Sequence, residues 1–126
     1  MDDKYRELFF QTASEHIKRM RELSMSSSLS SEEIEELHRH AHSLKGEAFV
    51  MGYQELGKYA TVLEKFIKQY KDTKNIIPVE KLPIISSAVI YMTSSVDAIK
   101  SAGKEPDTMV NEIDKLQKQL GVVIEL

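Results

Sequence analysis

The chain has 126 residues, 41% hydrophobic and 29% charged, with a net charge of −3 and no cysteine. That is enough apolar material for one domain with a core and too little for two ordinary ones. Interspersed charges of both signs give no field that would draw in a nucleic-acid backbone or an anionic membrane, and the lack of cysteine excludes disulfides and thiolate metal sites. The charged start lacks the apolar run of a signal peptide, and no stretch approaches a membrane span, so the expected location is the cytoplasm.

Proline and glycine are scarce before residue 78 and β-branched alternation is nearly absent, so the helical period is the one to apply. In the first segment, roughly 3–23, Tyr5, Leu8, Phe9, Ala13, Ile17, Met20 and Leu23 recur every three or four residues as one stripe. Residues 24–31 read as a flexible, serine-rich connector. Ser30 or Ser31, followed by Glu32 and Glu33, supplies an N-cap with acidic residues at the positive end of the helix dipole. The second helix, 31–51, carries Ile34, Leu37, Ala41, Leu44, Ala48 and Met51 and stops near Gly52, a residue type suited to a left-handed cap.

A third helix, 53–71, carries Leu56, Ala60, Leu63, Ile67 and Tyr70 and forms a hairpin with the second. After the polar stretch 71–75, Pro78 and Pro83 punctuate the entry to a fourth, 83–102, with room for a short helical turn before it. Proline belongs in a first turn and would damage an interior one. The fourth stripe is Ile84, Ile85, Ala88, Tyr91, Met92, Val96 and Ile99; Gly103 and Pro106 close it, and Met109, Ile113, Leu116 and Leu120 mark a shorter fifth helix, 107–120. The tail 121–126 shows no pattern. The predicted architecture is all-α: a single domain over residues 1–126, an up-and-down four-helix bundle with a fifth, C-terminal accessory helix.

His42 precedes the turn at about Tyr53 by 11 residues and Glu64 follows it by 11, so in an antiparallel hairpin they stand at matching heights. Each borders a stripe residue, Ala41 or Leu63, and on suitably rotated helices they meet across the seam. A carboxylate on one imidazole nitrogen fixes the tautomer and leaves the other free as a nucleophile. Lys45, at i+3 from His42, can hold an anion on that nitrogen. Taken singly, Lys45 is a solvated charge and Glu64 a surface partner for Lys65 or Lys68. Gly46 costs a helix interior roughly 0.5–1 kcal/mol relative to alanine. Either close helix packing or room for an approaching partner offsets that cost.

His38, His40 and His42 raise a metal site as another reading. His38 and His42 share a face, but His40 points nearly opposite, and the Glu35-x-x-His38 half-motif of a di-iron site has no second copy, so no metal is assigned. His16 reads as a core-border residue of the first helix.

The run Ala41-His42-Ser43-Leu44-Lys45-Gly46, with Ala48, Gly52, Leu56, Leu63 and Glu64 at their spacings, resembles the signature of the histidine phosphotransfer (HPt) domain. The segment from Leu8 to Ile17 is similar to the opening helix of the version found at the N-terminus of chemotaxis histidine kinases. The resemblance implies that His42 accepts a phosphoryl group, Glu64 orients its ring, Lys45 stabilises the phosphoryl oxygens and Gly46 admits a docking partner. Ser43 and Phe49, the latter one turn beyond Lys45, are the candidate partner contacts. Thr61 departs from the pattern, standing where many chemotaxis kinases carry a second histidine.

No glycine-rich phosphate loop or nucleotide-binding pattern is present, so the segment is not expected to bind ATP itself. The implied partners are a histidine kinase catalytic domain and a response-regulator receiver domain. The cofactor expected is the receiver's magnesium ion, with none of the chain's own. A free-standing carrier and the N-terminal domain of a larger kinase both fit. The alternative function is a helical bundle that binds a partner without phosphotransfer.

Overall fold

A computed structural model describes residues 3–125. Helices α1 (Asp3–Ser24), α2 (Ser31–Val50), α3 (Gln54–Thr73), α4 (Leu82–Ala102) and α5 (Met109–Leu120), with a 3₁₀ turn at Val79–Lys81, account for the regular structure, and no strand occurs among the described residues. Local chemistry sets the ends. Ser30 is the N-cap of α2: the Glu33 N–H donates to Ser30 Oγ at 3.1 Å and the Ser30 N–H donates to the Glu33 carboxylate at 2.9 Å. This reciprocal box satisfies two backbone donors at once. The serine connector ahead of it is anchored by Leu29, which is buried.

The α2–α3 turn is tight. Gly52 takes φ of 84°, the Tyr53 N–H donates to Ala48 O at 2.9 Å, and the Gly52 N–H donates to Phe49 O at 3.1 Å. This is the glycine-dependent stop expected at that residue. Tyr53 offers no side-chain cap to α3, so the cap arrives from far along the chain: the Glu105 carboxylate accepts from the Leu56 N–H at 2.6 Å. The α3 dipole thereby gains an anion at its positive end.

Helix α1 packs between α2 and α4, and α3 packs on α2 and, more heavily than on α4, on α5. The fifth helix therefore fills the gap between α3 and α4, burying Met109, Ile113, Leu116 and Leu120. Flanked on both sides, α3 buries Gly57, Tyr59, Val62, Glu64 and Phe66 in addition to Leu56, Ala60, Leu63 and Ile67 of its predicted stripe, while Tyr70 is only half-buried against the core. The tail also joins the core, with Val122 buried and the Ile124 N–H donating to Gln117 Oε1 at 2.9 Å. Helix α5 starts two residues later than expected because residues 106–108 are held in a turn, the Met109 N–H donating to Pro106 O at 3.1 Å.

Two expectations are corrected. Tyr5 and Leu8 follow the periodicity of α1 but are 64% and 55% exposed, because they line an open groove beside α2 while the neighbouring Phe9 turns into the core. Contrary to the expectation of no such stretch, the segment Val79–Ala102 is long and apolar enough to cross a membrane by composition, with a mean hydropathy of 1.4 over its best window. Serines and threonine rather than charges fill most of its polar positions, while Leu82, Ile85, Val89, Met92, Val96 and Ile99 face the protein core.

Candidate functional site

The α2–α3 hairpin brings His42 and Glu64 together as their equal distances from the turn require. Glu64 Oε2 is the partner of His42 Nδ1. Glu64 is 8% exposed, and the Lys45 ammonium donates to its other oxygen at 2.7 Å. Burial alone would push the Glu64 carboxyl up, but hydrogen bonds from Lys45 and then His42 outweigh it and hold the group below its ordinary value. An ionised carboxylate only accepts, so the hydrogen of a neutral His42 ring sits on Nδ1 and the lone pair on Nε2. The imidazole is 64% exposed. The ring is therefore oriented at one nitrogen and accessible at the other.

Lys45 differs from expectation in its partner, because its ammonium lies on Glu64. Nothing stands within 4 Å of where a Cβ on Gly46 would lie, which removes close helix packing as the reason for that glycine. Gly46 and the half-buried Ser43 instead line an open groove of about 550 Å³, together with Leu8, Phe9, His42 and Val50. The exposed side chains of Tyr5, Leu8 and Val50 make its rim apolar.

Phe49 lies elsewhere. Its ring is half-buried against α3, where a Cβ on Gly57 would meet ring atoms at 2.6 Å. Gly57 is a contact that apolar periodicity does not reveal, although a glycine one turn into a helix is a local signal of close approach. Thr61 Oγ1 donates to Gly57 O at 2.7 Å within its own helix. The hydroxyl bonds its own backbone rather than the His42 ring.

The other histidines separate by face. His38 stacks beside His42, with centroids 6.1 Å apart and planes at 19°, and His38 Nε2 lies 4.0 Å from Glu64 Oε2. Burial first, and then the charge of Lys71, lower the His38 pKa. His40 faces α1: its Nδ1 is 2.9 Å from Nδ1 of His16, whose Nε2 is 3.0 Å from Glu47 Oε2. Thr12 Oγ1 donates to the other Glu47 oxygen at 2.6 Å, so His16 belongs to a polar seam between α1 and α2. Among the described residues, no three His, Asp or Glu side chains converge as metal ligands would.

The family model of the Hpt domain matches residues 4–102, spanning α1 to α4. The chain belongs to the Hpt domain family. It is thus a histidine phosphotransfer domain, and its fold agrees with that assignment. The chain is similar to the phosphorylated P1 domain of CheA3 from R. sphaeroides, whose crystal structure was determined in complex with CheY6: TM-score 0.83, 16% identity, 95% of this chain and 98% of that one covered. At that identity the likeness shows the fold. No significant match to a curated protein accompanies it.

Proposed function

We propose that His42 is the phosphoryl carrier of this Hpt domain, loaded by a histidine kinase catalytic domain and discharged to the aspartate of a response-regulator receiver. The observation that carries this reading is one ring with its two nitrogens in different settings. Nδ1 is held by a buried, ionised Glu64, while the imidazole is exposed beside an open groove.

In the loading step the Nε2 lone pair attacks the γ-phosphorus of ATP bound in the kinase, an N–P bond forms, and the bond to the ADP oxygen breaks. The ring becomes cationic with its hydrogen on Nδ1, and Glu64 stabilises that charge. In the discharge step a receiver carboxylate oxygen attacks the phosphorus in line, the N–P bond breaks, and its electron pair returns to Nε2. The receiver would supply a magnesium ion and a lysine to neutralise the phosphoryl oxygens there. Lys45, one turn from His42, serves the same oxygens on this side. The apolar rim of Tyr5, Leu8 and Val50 is the receiver's docking surface, and Gly46 lets it approach the ring. The CheA3 P1 domain, solved with CheY6, supports a receiver as partner. This reading sets the protein in the cytoplasm.

The test is transfer of radiolabel from a kinase catalytic domain or a phospho-receiver. Acid-labile, base-stable label is expected on the wild type and absent from His42→Gln. Label that persists in His42→Gln, or that no competent partner delivers to the wild type, leaves the helical interaction module as the function.

A further inference from the structure

The seam between α2 and α3 contains a buried polar atom without a partner. His38 Nε2 makes no hydrogen bond, and its side chain is only 13% exposed. Buried polar groups are nearly always satisfied, so an exception beside a reactive group calls for a reason. The atom lies 4.0 Å from Glu64 Oε2, the oxygen that His42 Nδ1 already engages. A movement of about 1 Å brings it to hydrogen-bond length.

The surrounding charges decide its protonation. Lys68, Lys71 and Glu64 face it from α3, and His42 from α2; Glu35 and Arg39 share its groove. Burial and the two lysines disfavour a third cation, so the ring is neutral at neutral pH. A neutral imidazole placed against a carboxylate keeps its hydrogen on the facing nitrogen, because the other tautomer would set lone pair against lone pair. His38 therefore aims an Nε2–H at Glu64 and stops short of contact.

The phosphotransfer reading gives that reserve a use, and the inference rests on it. Glu64 has two donors, Lys45 on Oε1 and His42 on Oε2. A phosphoryl group on His42 Nε2 brings about two negative charges within a helical turn of Lys45 and draws its ammonium away. Glu64 is then buried with one donor fewer. Thr61 cannot replace it, since its hydroxyl is engaged with Gly57 O.

We propose that His38 is a positioning residue for phosphotransfer, its Nε2–H closing onto Glu64 when Lys45 turns to the phosphoryl group. The contact keeps Glu64 ionised and His42 Nδ1–H in place through the loaded state.

The experiment uses the full chain with three substitutions and one spectrum. Two-bond ¹H–¹⁵N NMR of the unphosphorylated wild type should show His38 protonated at Nε2; an Nδ1–H tautomer overturns the proposal whatever the transfer assays give. In single-turnover transfer, His38→Phe, similar in shape without a donor, should lower the rate at saturating receiver by about tenfold. The half-saturating receiver concentration should not move. His38→Gln, which restores an N–H donor, should return the rate to within about twofold. His38→Ala should match His38→Phe. Equal rates in all three and the wild type, or equal losses in Phe and Gln, refute a donor role. A wild type that takes no label instead defeats the phosphotransfer reading, and the tautomer then reports on His38 alone.

Discussion

The ammonium of Lys45 lies 2.7 Å from Glu64 Oε1, so the side chain expected to grip the phosphoryl group holds the carboxylate in the unloaded protein. Its removal takes from Glu64 the leading contact that outweighs burial. Lys45→Ala should therefore raise the Glu64 pKa, readable by carboxyl ¹³C NMR, and slow phosphotransfer by about tenfold, with the helical circular dichroism intact. An unchanged transfer rate would show that the lysine serves only the carboxylate.

Gly46 has open space where a side chain would stand, and the helix gains from filling it. Gly46→Ala should stabilise the protein by ~0.5–1 kcal/mol from helix propensity, seen as a higher midpoint in urea. The same methyl faces the groove, so the receiver concentration needed for half-maximal transfer should rise. A variant that is more stable and docks normally would remove the access role from Gly46.

Gly57 is the opposite case, because the Phe49 ring occupies the place of its absent Cβ. Gly57→Ala should destabilise by about 1–2 kcal/mol, as overpacking exceeds the propensity gain. In a Phe49→Ala background the obstacle is gone, and the same substitution should become stabilising. Urea unfolding of the four proteins in the cycle measures that change of sign, and simple additivity would refute the contact.

Val50 is 83% exposed on the rim of the groove, so Val50→Asp should leave stability within about 0.5 kcal/mol. Docking of an apolar receiver face should weaken, raising the half-saturating concentration without lowering the rate at saturation. A loss confined to the saturated rate would place the docking surface elsewhere.

His42 and Glu64 could be paired from sequence because helix rise and one turn fix their heights, with no knowledge of any other helix. Apolar periodicity likewise marks out the helices in order, and Gly52 and Gly103 their left-handed stops. Tyr5 and Leu8 misled because periodicity reports a face of α1 and says nothing about whether a neighbour covers it. Lys45 was placed on the correct face, but the choice between a solvent anion and Glu64 depends on the approach of two helices. Phe49 against Gly57 and His38 against Glu64 are likewise relations across a seam. His40 was read correctly as facing away from His42, yet His16, 24 residues away, is visible as its partner only in three dimensions.

Acid should destabilise this protein in two stages. His38 and His40 have pKa values below the ordinary 6.5, first through burial and then through Lys71 and His16 respectively. The unfolded chain then binds protons that the native state refuses, so stability is lost as pH falls from about 6.5. Glu36 is held down to about 2 from 4.5, chiefly by the Arg19 hydrogen bonds, and Glu64 and Glu33 are also lowered. A depressed carboxyl contributes stability above its unfolded value and loses it as pH drops through the folded one, so the second stage runs from about 4.5 toward 2. Glu105, raised by burial, works in the opposite sense, as one group against three. Urea midpoints should fall from pH 7 to 5 and again from 4.5 to 2.5. His40→Gln should flatten the first fall and Glu36→Gln the second. A midpoint that holds steady or rises on acidification would overturn this assignment of charge states, including the ionised Glu64 on which the His42 geometry depends.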